Sequence, residues 1–293
     1  MANFGNFAPA SLWRAFCFST VLAAAGFGAS PQAAPPPELA QVGKPDAAEA
    51  RRILEQFRRA GIVGEYYFEF ELRELPRRGD EKIFLGRLWG GRNEQGAVTR
   101  IVVVDDAGAE QRLLVQNGER PAVWRTAGGR AAELAGAASF EPLVPGVELS
   151  AFDLQMPFLY WPGATVESIK RIRGRPAHEF LFRPPAEFAR EHPEISGVRS
   201  YFDTQFNAPM QTELIGGDGR TLKTLSLLDL KTIDGQTIPE SFEVRNEAAR
   251  DKTRLVVTAV ALRLELPAAI FAPAALTDDV APPPAERIVR LAP

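Results

Sequence analysis

The sequence predicts a mainly β protein, a strongly curved antiparallel sheet or incomplete barrel with helices laid over one face. Three observations predict it. In "GEYYFEFELREL", Tyr66, Phe68, Phe70 and Leu72 face one way and Glu65, Tyr67, Glu69 and Glu71 the other, the pattern of an antiparallel strand with one wet face. Strand-length runs then recur as far as Leu266, separated by short turn signals, as in a β-meander. Two longer stretches, within 46–61 and 131–163, interrupt the rhythm with helical or non-β patterns.

Residues 1–34 read as a signal peptide. Arg14 precedes the apolar run "AFCFSTVLAAAGFG", followed by small residues and prolines, with cleavage expected between Ala29 and Ala34. The run is shorter than the roughly 20 residues a spanning helix needs. The single cysteine, Cys17, lies inside it with the apolar run following, so neither a lipid anchor nor a disulfide is expected. Residues 35–46 form a Pro/Ala-rich linker. A half-barrel domain is expected over 47–277, with a Pro-rich tail at 278–293.

The domain opens with an amphipathic helix in "PDAAEARRILEQFRRAGIVG": Asp46 caps it, Ile53, Leu54 and Phe57 form its stripe, and Gly61 ends it. "EKIFLGRLWGG", "VTRIVVVDDAG", "QRLLVQNGE" and "PAVWRTAGG" follow as strands. Residues 131–163 have no period of two. Ser150 is expected to cap a short helix there, with Phe152, Met156 and Leu159 on one face and Pro162 and Gly163 at its end. The chain returns to strands in a hairpin turned at Arg173-Gly174-Arg175. "PAEFAREHPEIS" is then a surface excursion or single helical turn, before four or five further strands. In the last of these Val256, Val260, Leu262, Leu264 and Leu266 line one face.

The balance of charges excludes some functions. With 24% charged residues of both signs interspersed and a net charge of −3, the chain lacks the basic footprint of a nucleic-acid binder or a polybasic membrane patch. Catalytic motifs are missing too: there is no nucleophile elbow, no phosphate-cradling loop and no paired cysteine. Of the two histidines, His178 alternates with Phe180 and Phe182 and reads as a core histidine, while His192 reads as part of a surface segment without zinc-ligand spacing. Asp105, Asp106, Asp153 and Asp203 are candidates for a glycosidase-like carboxylate pair, which one sequence cannot bring together. No enzyme, cofactor or metal is expected. What remains is the apolar stretch "FDLQMPFLYWPG", which reads either as a permanent core plug or as a movable cover.

The order of motifs resembles the bacterial outer-membrane lipoprotein-sorting proteins of the LolA/LolB-like superfamily. The likeness is to a periplasmic subgroup with a "DL-x-x-x-FLYWP" segment, here Asp153-Leu154 and Phe158-Leu159-Tyr160-Trp161-Pro162. Gly174-Arg175 with Ala177, Tyr201 with Asp203, Gln211 with Glu213, Asp218-Gly219, Ile238–Thr258 and Phe271-Ala272-Pro273 complete it, so the resemblance spans about residues 48–276. It implies an unclosed antiparallel β-barrel lidded by helices, with an apolar cavity for acyl chains of a lipoprotein or related lipid. It also implies a monomer in the periplasm that serves an inner-membrane transporter and an outer-membrane acceptor. A sensory module on the same scaffold, regulating an envelope partner, is the alternative. The family's polar residue that fastens the lid has no motif match here. Combining this with the residue pattern, the expected ligand-binding set is Phe68 and Phe70 in the cavity wall, Phe152, Met156 and Leu159 toward the sheet, Tyr160 and Trp161 at the mouth, and Phe158 in the same lid.

Overall fold

The computed structural model describes residues 45–205 and 208–291; the expected signal peptide, Cys17 and the linker up to residue 44 lie outside them. Helix α1 (Ala47–Arg59) starts where the sequence puts its cap, the Asp46 carboxylate accepting the N–H groups of Ala48 and Glu49 at 2.8 Å. Strands β1 (Glu65–Leu75), β2 (Lys82–Asn93), β3 (Gly96–Val104), β4 (Glu110–Gln116), β5 (Ala122–Ala127) and β6 (Arg130–Glu133) follow as a meander. Residues 134–162 are the insert, carrying the five-residue helix α2 (Ala151–Gln155) and a 3-10 turn at Pro157–Tyr160. The chain continues through β7 (Gly163–Ile172), β8 (Arg175–Arg183), helix α3 (Ala186–Glu191), β9 (Ile195–Asp203), β10 (Pro209–Gly216), β11 (Thr221–Ile233), β12 (Gln236–Asn246), β13 (Lys252–Leu264) and β14 (Val289–Arg290).

All these strands join one 14-stranded sheet in the order β6-β5-β4-β3-β2-β1-β13-β12-β11-β10-β9-β8-β7, with β14 paired to β13. The first half of the chain walks outward from β1 to one edge; the second half starts at the other edge and walks back to close on β1. The sheet is therefore unclosed and mainly antiparallel, and the insert is the segment that joins its two edges, β6 and β7.

Local chemistry explains the turns and the close approaches. The hairpins β7–β8 and β11–β12 turn on Arg173-Gly174 and Asp234-Gly235, each pair with both residues at positive φ, as a type I′ turn requires. In β2, a Cβ on Gly86 would fall 2.1 Å from the Phe70 ring and one on Gly90 2.0 Å from the Tyr66 ring. The two β1 rings lie across bare β2 backbone at those positions.

Three expectations need correction. Residues 130–133 form a short edge strand, although "RAAE" has no alternation; the Gly128-Gly129 turn, both glycines at positive φ, folds it back onto β5. The expected single face of β13 is split by two register shifts against β1. Val260 and Leu262 face inward with Leu255 and Val257, Leu264 packs on the outer side, and Val256 belongs to neither core cluster. The odd residues of β1 are not all wet, since Tyr67 is fully buried against Trp89. The cover there is the segment 266–291, which crosses the outer face and pairs Val289 and Arg290 with β13. Arg100, 0% exposed, fastens that segment by donating to the carbonyls of Ile270 and Leu276 at 3.1 Å, of Ala275 at 2.8 Å, and of Asp278.

Candidate functional site

The inner face carries two separate apolar clusters. One rests on β1–β5, β12 and β13, with Phe68, Phe70, Leu72, Phe84, Val103 and Leu113 at its centre. The first part of the insert seals it, burying Leu143, Val144, Val147 and Leu149 to 2% exposure or less. The other rests on β7–β9 and is built from rings: Phe152, Phe158, Trp161, Phe180, Phe182 and Phe202, with Ala50, Ile53 and Leu54 of α1 across it. Phe57 of α1 meets Phe202 edge-on at 4.9 Å, and Phe158 meets Phe182 at 5.3 Å.

The expected ligand-binding residues divide between these clusters. Phe152, Phe158, Leu159 and Trp161 lie together in the aromatic cluster, with Met156 and Tyr160 packed at its border. Phe68 and Phe70 belong to the other cluster, beneath the sealed part of the insert. The expected helix over Phe152–Leu159 is broken. Met156 sits in the left-handed region (φ 49°, ψ 53°) because Pro157 disfavours a right-handed helical residue before it, and the chain restarts as a 3-10 turn. The Ser150 cap is present as a capping box with Asp153.

The "PAEFAREHPEIS" segment does more than cross the surface. Phe188 of α3 contacts Trp161 at 4.8 Å and Phe152 at 6.0 Å. His192, expected on the surface, is buried against Phe140 at 4.8 Å and Phe188 at 4.7 Å, because α3 folds back onto the insert. Its Nδ1 lies 3.2 Å from Glu194 Oε1. His178 is half-buried on β8. Burial holds its imidazole below the usual value, against the opposing charges of Glu49 on α1 and Asp203.

The residues that fasten the insert escaped the sequence reading. Arg58 Nε donates to the Leu159 carbonyl at 2.8 Å, Nη2 donates to the same oxygen, and the guanidinium lies 5.0 Å from the Tyr160 ring centroid. In the middle of the insert Lys223 Nζ donates to Asp153 Oδ2 and to the Glu148 carbonyl, each at 2.9 Å. The Glu148 N–H donates to Thr253 Oγ1 at 2.6 Å. Arg58 ends a helix in which several arginines look alike, and Lys223 is one alternating residue of a long strand. The only available signal was that each neighbours an apolar stripe.

Between the clusters lies a seam at β10 and β11, where Leu214 and Leu225 stay half-buried and no residue of β11 is fully buried. A cavity of about 20 Å³ remains there, lined by Phe152, Asp153, Met156, Phe158, Val198, Thr212, Leu214, Lys223 and Leu225. That is room for about one water. Outside it, between α1, Tyr160–Pro162 and β7, runs an open groove of about 810 Å³ with Leu54, Val166 and Phe180 among its lining residues and Arg51, Glu55 and Arg58 beside them.

No acid–base pair forms from the candidate aspartates. Asp105 closes its own turn, Asp106 pairs with Lys82, Asp153 with Lys223 and Asp203 with Arg175. Among the described residues no group of three or more His, Cys, Asp or Glu is placed to hold a metal, and no helix is long and apolar enough to cross a membrane. The arrangement offers apolar surface, side-chain fasteners and a seam.

Comparison with known proteins fits this geometry. A family model described as an uncharacterized protein matches residues 191–278. No curated protein matches in sequence. Among solved structures, a putative outer membrane lipoprotein-sorting protein domain from Vibrio parahaemolyticus aligns at 15% identity over 76% of this chain and 97% of its own, with a TM-score of 0.64. A DUF1329 family protein from Desulfovibrio piger aligns at 14% identity over 78% and 98%, TM-score 0.66. A LolA superfamily protein from Nitrosomonas europaea aligns at 15% over 76% and 97%, TM-score 0.58. At such identities the likeness speaks to the fold alone, and the fold is LolA-like: an unclosed antiparallel sheet with helical segments across its inner face.

Proposed function

We propose that the protein is a non-catalytic periplasmic carrier that shelters acyl chains of lipoproteins or related lipids on their way to the outer membrane. The observation that carries this reading is the way the insert is held. It lies over a seam of half-buried leucines and is fastened by side-chain contacts, from Arg58 near its end, Lys223 at its middle and Arg125 at Pro142 and Leu143, rather than by strand pairing. Such a cover can leave and return without breaking the sheet. Phe152, Met156, Phe158, Leu159, Tyr160 and Trp161 then form the moving part, and the groove beside α1 is the entrance. Phe68 and Phe70 belong to the sealed cluster, which stays packed and backs the space that opens.

The magnitudes agree with reversible loading. An acyl chain of about 16 methylenes gains roughly 13 kcal/mol by leaving water, at ~0.8 kcal/mol each. Uncovering the four large apolar side chains Phe152, Phe158, Leu159 and Trp161 costs about 6–12 kcal/mol at ~1.5–3 kcal/mol apiece. The two terms are comparable, so the guest replaces the cover without being trapped. In this reading the export signal, a monomeric state, an inner-membrane donor and an outer-membrane acceptor belong together.

The test is binding of a short lipopeptide acylated on its N-terminal cysteine, set against the same peptide without acyl chains. Tryptophan emission should respond to the acylated form alone, with Trp161 as the reporter. Native mass spectrometry of protein purified from its own periplasm should find an acylated passenger. Equal or absent response to both peptides would sink the carrier reading. A stable complex with a membrane-protein domain and no acylated passenger would favour the regulatory alternative instead.

A further inference from the structure

We propose that Lys223 anchors the anionic head group, a carboxylate or a phosphate monoester, of a single-chain lipid whose tail lies along the β10–β11 seam. This rests on the carrier reading above and adds the chemistry of the head group to it. In the closed molecule Asp153 occupies the anchor's place.

The seam is apolar apart from one ion pair. Its small cavity is lined by Phe152, Met156, Phe158, Val198, Leu214 and Leu225 with the neutral Thr212, and the charged groups on it are Asp153 and Lys223. Both are largely withdrawn from water, their side chains 9% and 16% exposed. The two partners of the Lys223 ammonium, Asp153 Oδ2 and the Glu148 carbonyl, both belong to the insert, whereas Lys223 itself belongs to the sheet. Lifting the insert therefore carries both partners away and leaves a cation on an apolar wall. Asp153 loses less, because the same Oδ2 also accepts from the Ser150 N–H at 2.9 Å and the Ser150 hydroxyl at 2.7 Å.

An unpartnered charge in such a place is strongly disfavoured, and its remedy is an anion at hydrogen-bonding distance. A guest with a neutral head fills the seam and leaves the ammonium bare. A guest with an anionic head fills the seam and restores the pair. Asp153 is thus an internal competitor that reseats when the guest departs, and the opened site discriminates by head group as well as by tail.

Isothermal titration of the protein with dodecanoate, dodecyl phosphate, dodecanol and dodecyltrimethylammonium, all below their micellar concentrations, separates the terms. The anions should bind roughly tenfold or more tighter than the alcohol, the scale of one charge-assisted hydrogen bond, and the cation weakest. Lys223→Met should erase the preference and Lys223→Arg keep it. Asp153→Asn should tighten anion binding, because the competitor loses its charge. Dodecanoate ahead of the phosphate identifies a fatty acid, the reverse a phosphate monoester. Equal binding of alcohol and anions to the wild type, or a preference that survives Lys223→Met, overturns the anchor while lipopeptide binding keeps the carrier reading alive. Failure of all four probes and of the lipopeptide removes both. If Lys223→Met does not fold, the wild-type head-group series and Asp153→Asn decide alone.

Discussion

The two halves of the inner face solve the same problem differently. Over β1–β5 the core is mostly aliphatic, and the insert residues Leu143 to Leu149 close it in a form with little left exposed. Over β7–β9 the core is mostly aromatic, covered by one helix and two short helical pieces, and it borders a seam whose leucines stay half-buried. Branched aliphatic side chains interlock tightly when strands pair around them. Flat rings instead make edge contacts that re-form at several angles. On the proposed carrier reading, the first half stays shut and the second repacks, so that one sheet supplies rigidity and adaptability at different places.

The sharpest way to break this comparison is a matched pair of truncations. Leu113→Ala, in the sealed half and fully buried, should cost about 2–5 kcal/mol of stability by urea denaturation, the usual price of a core leucine. It should leave lipopeptide affinity unchanged. Leu214→Ala, half-buried beside an existing void, should cost only about 1 kcal/mol, since it loses less burial and adds to space already empty. It should nonetheless weaken lipopeptide binding. Equal stability costs, or binding effects in the opposite order, would end the distinction between the halves.

What the sequence disclosed follows the same division. The turn residues of the hairpins, the Asp46 cap and, apart from the buried Tyr67, the alternation of β1 are local signals, and the structure repeats them. The aromatic stretch Phe152–Trp161 is equally visible, because so many rings in one short segment demand a cover or a core. Its split at Met156 follows from Pro157, a local rule that the helical pattern obscured. Other features were out of reach. Whether Phe68 and Phe70 meet the insert's rings depends on which half of the insert lands on β1, a matter of tertiary packing. The faces of β13 depend on register shifts that alternation cannot anticipate. Arg58 and Lys223 matter only through partners 101 and 70 residues away, respectively.

Arg58→Met sharpens the comparison at its fastener. The variant keeps an apolar stem against Tyr160 and loses both donors to the Leu159 carbonyl. A hydrogen bond to a charged donor is worth about 1.5–3 kcal/mol, and the half-exposed surroundings put the expected loss near the lower end. Hydrogen exchange should then accelerate at the amides of Leu159 and Trp161, whose N–H groups close the 3-10 turn on Met156 and Phe158. The amides of β3 and β4 should keep their protection. Uniform acceleration across the sheet would mean that Arg58 supports the whole fold rather than the cover.

The smallest expected effect comes from pH, and it separates the halves by window. Burial lowers the folded pKa of His178, so the unfolded chain binds its proton first. The neutral ring contributes stability above its unfolded value near pH 6.5, and that contribution is lost as pH falls toward the folded value. The charged groups bearing on His178 are Glu49 and Asp203, and both moderate the effect. Glu243, on β12 beside the sealed cluster, titrates lower. Burial alone would raise its pKa, but hydrogen bonds from Arg254 and Lys252 and the charges of both hold it below the ordinary value. Its contribution persists above about pH 4.3 and disappears under that. Mild acid near pH 5.5 should therefore loosen α1 over the aromatic half, seen as faster exchange at Ile53 and Leu54, while β1–β5 hold until the carboxylates protonate. His178→Phe should remove the first step and leave the second. If both halves lose protection together in the wild type, the helix is not a separable cover and the aromatic half opens only with the whole sheet.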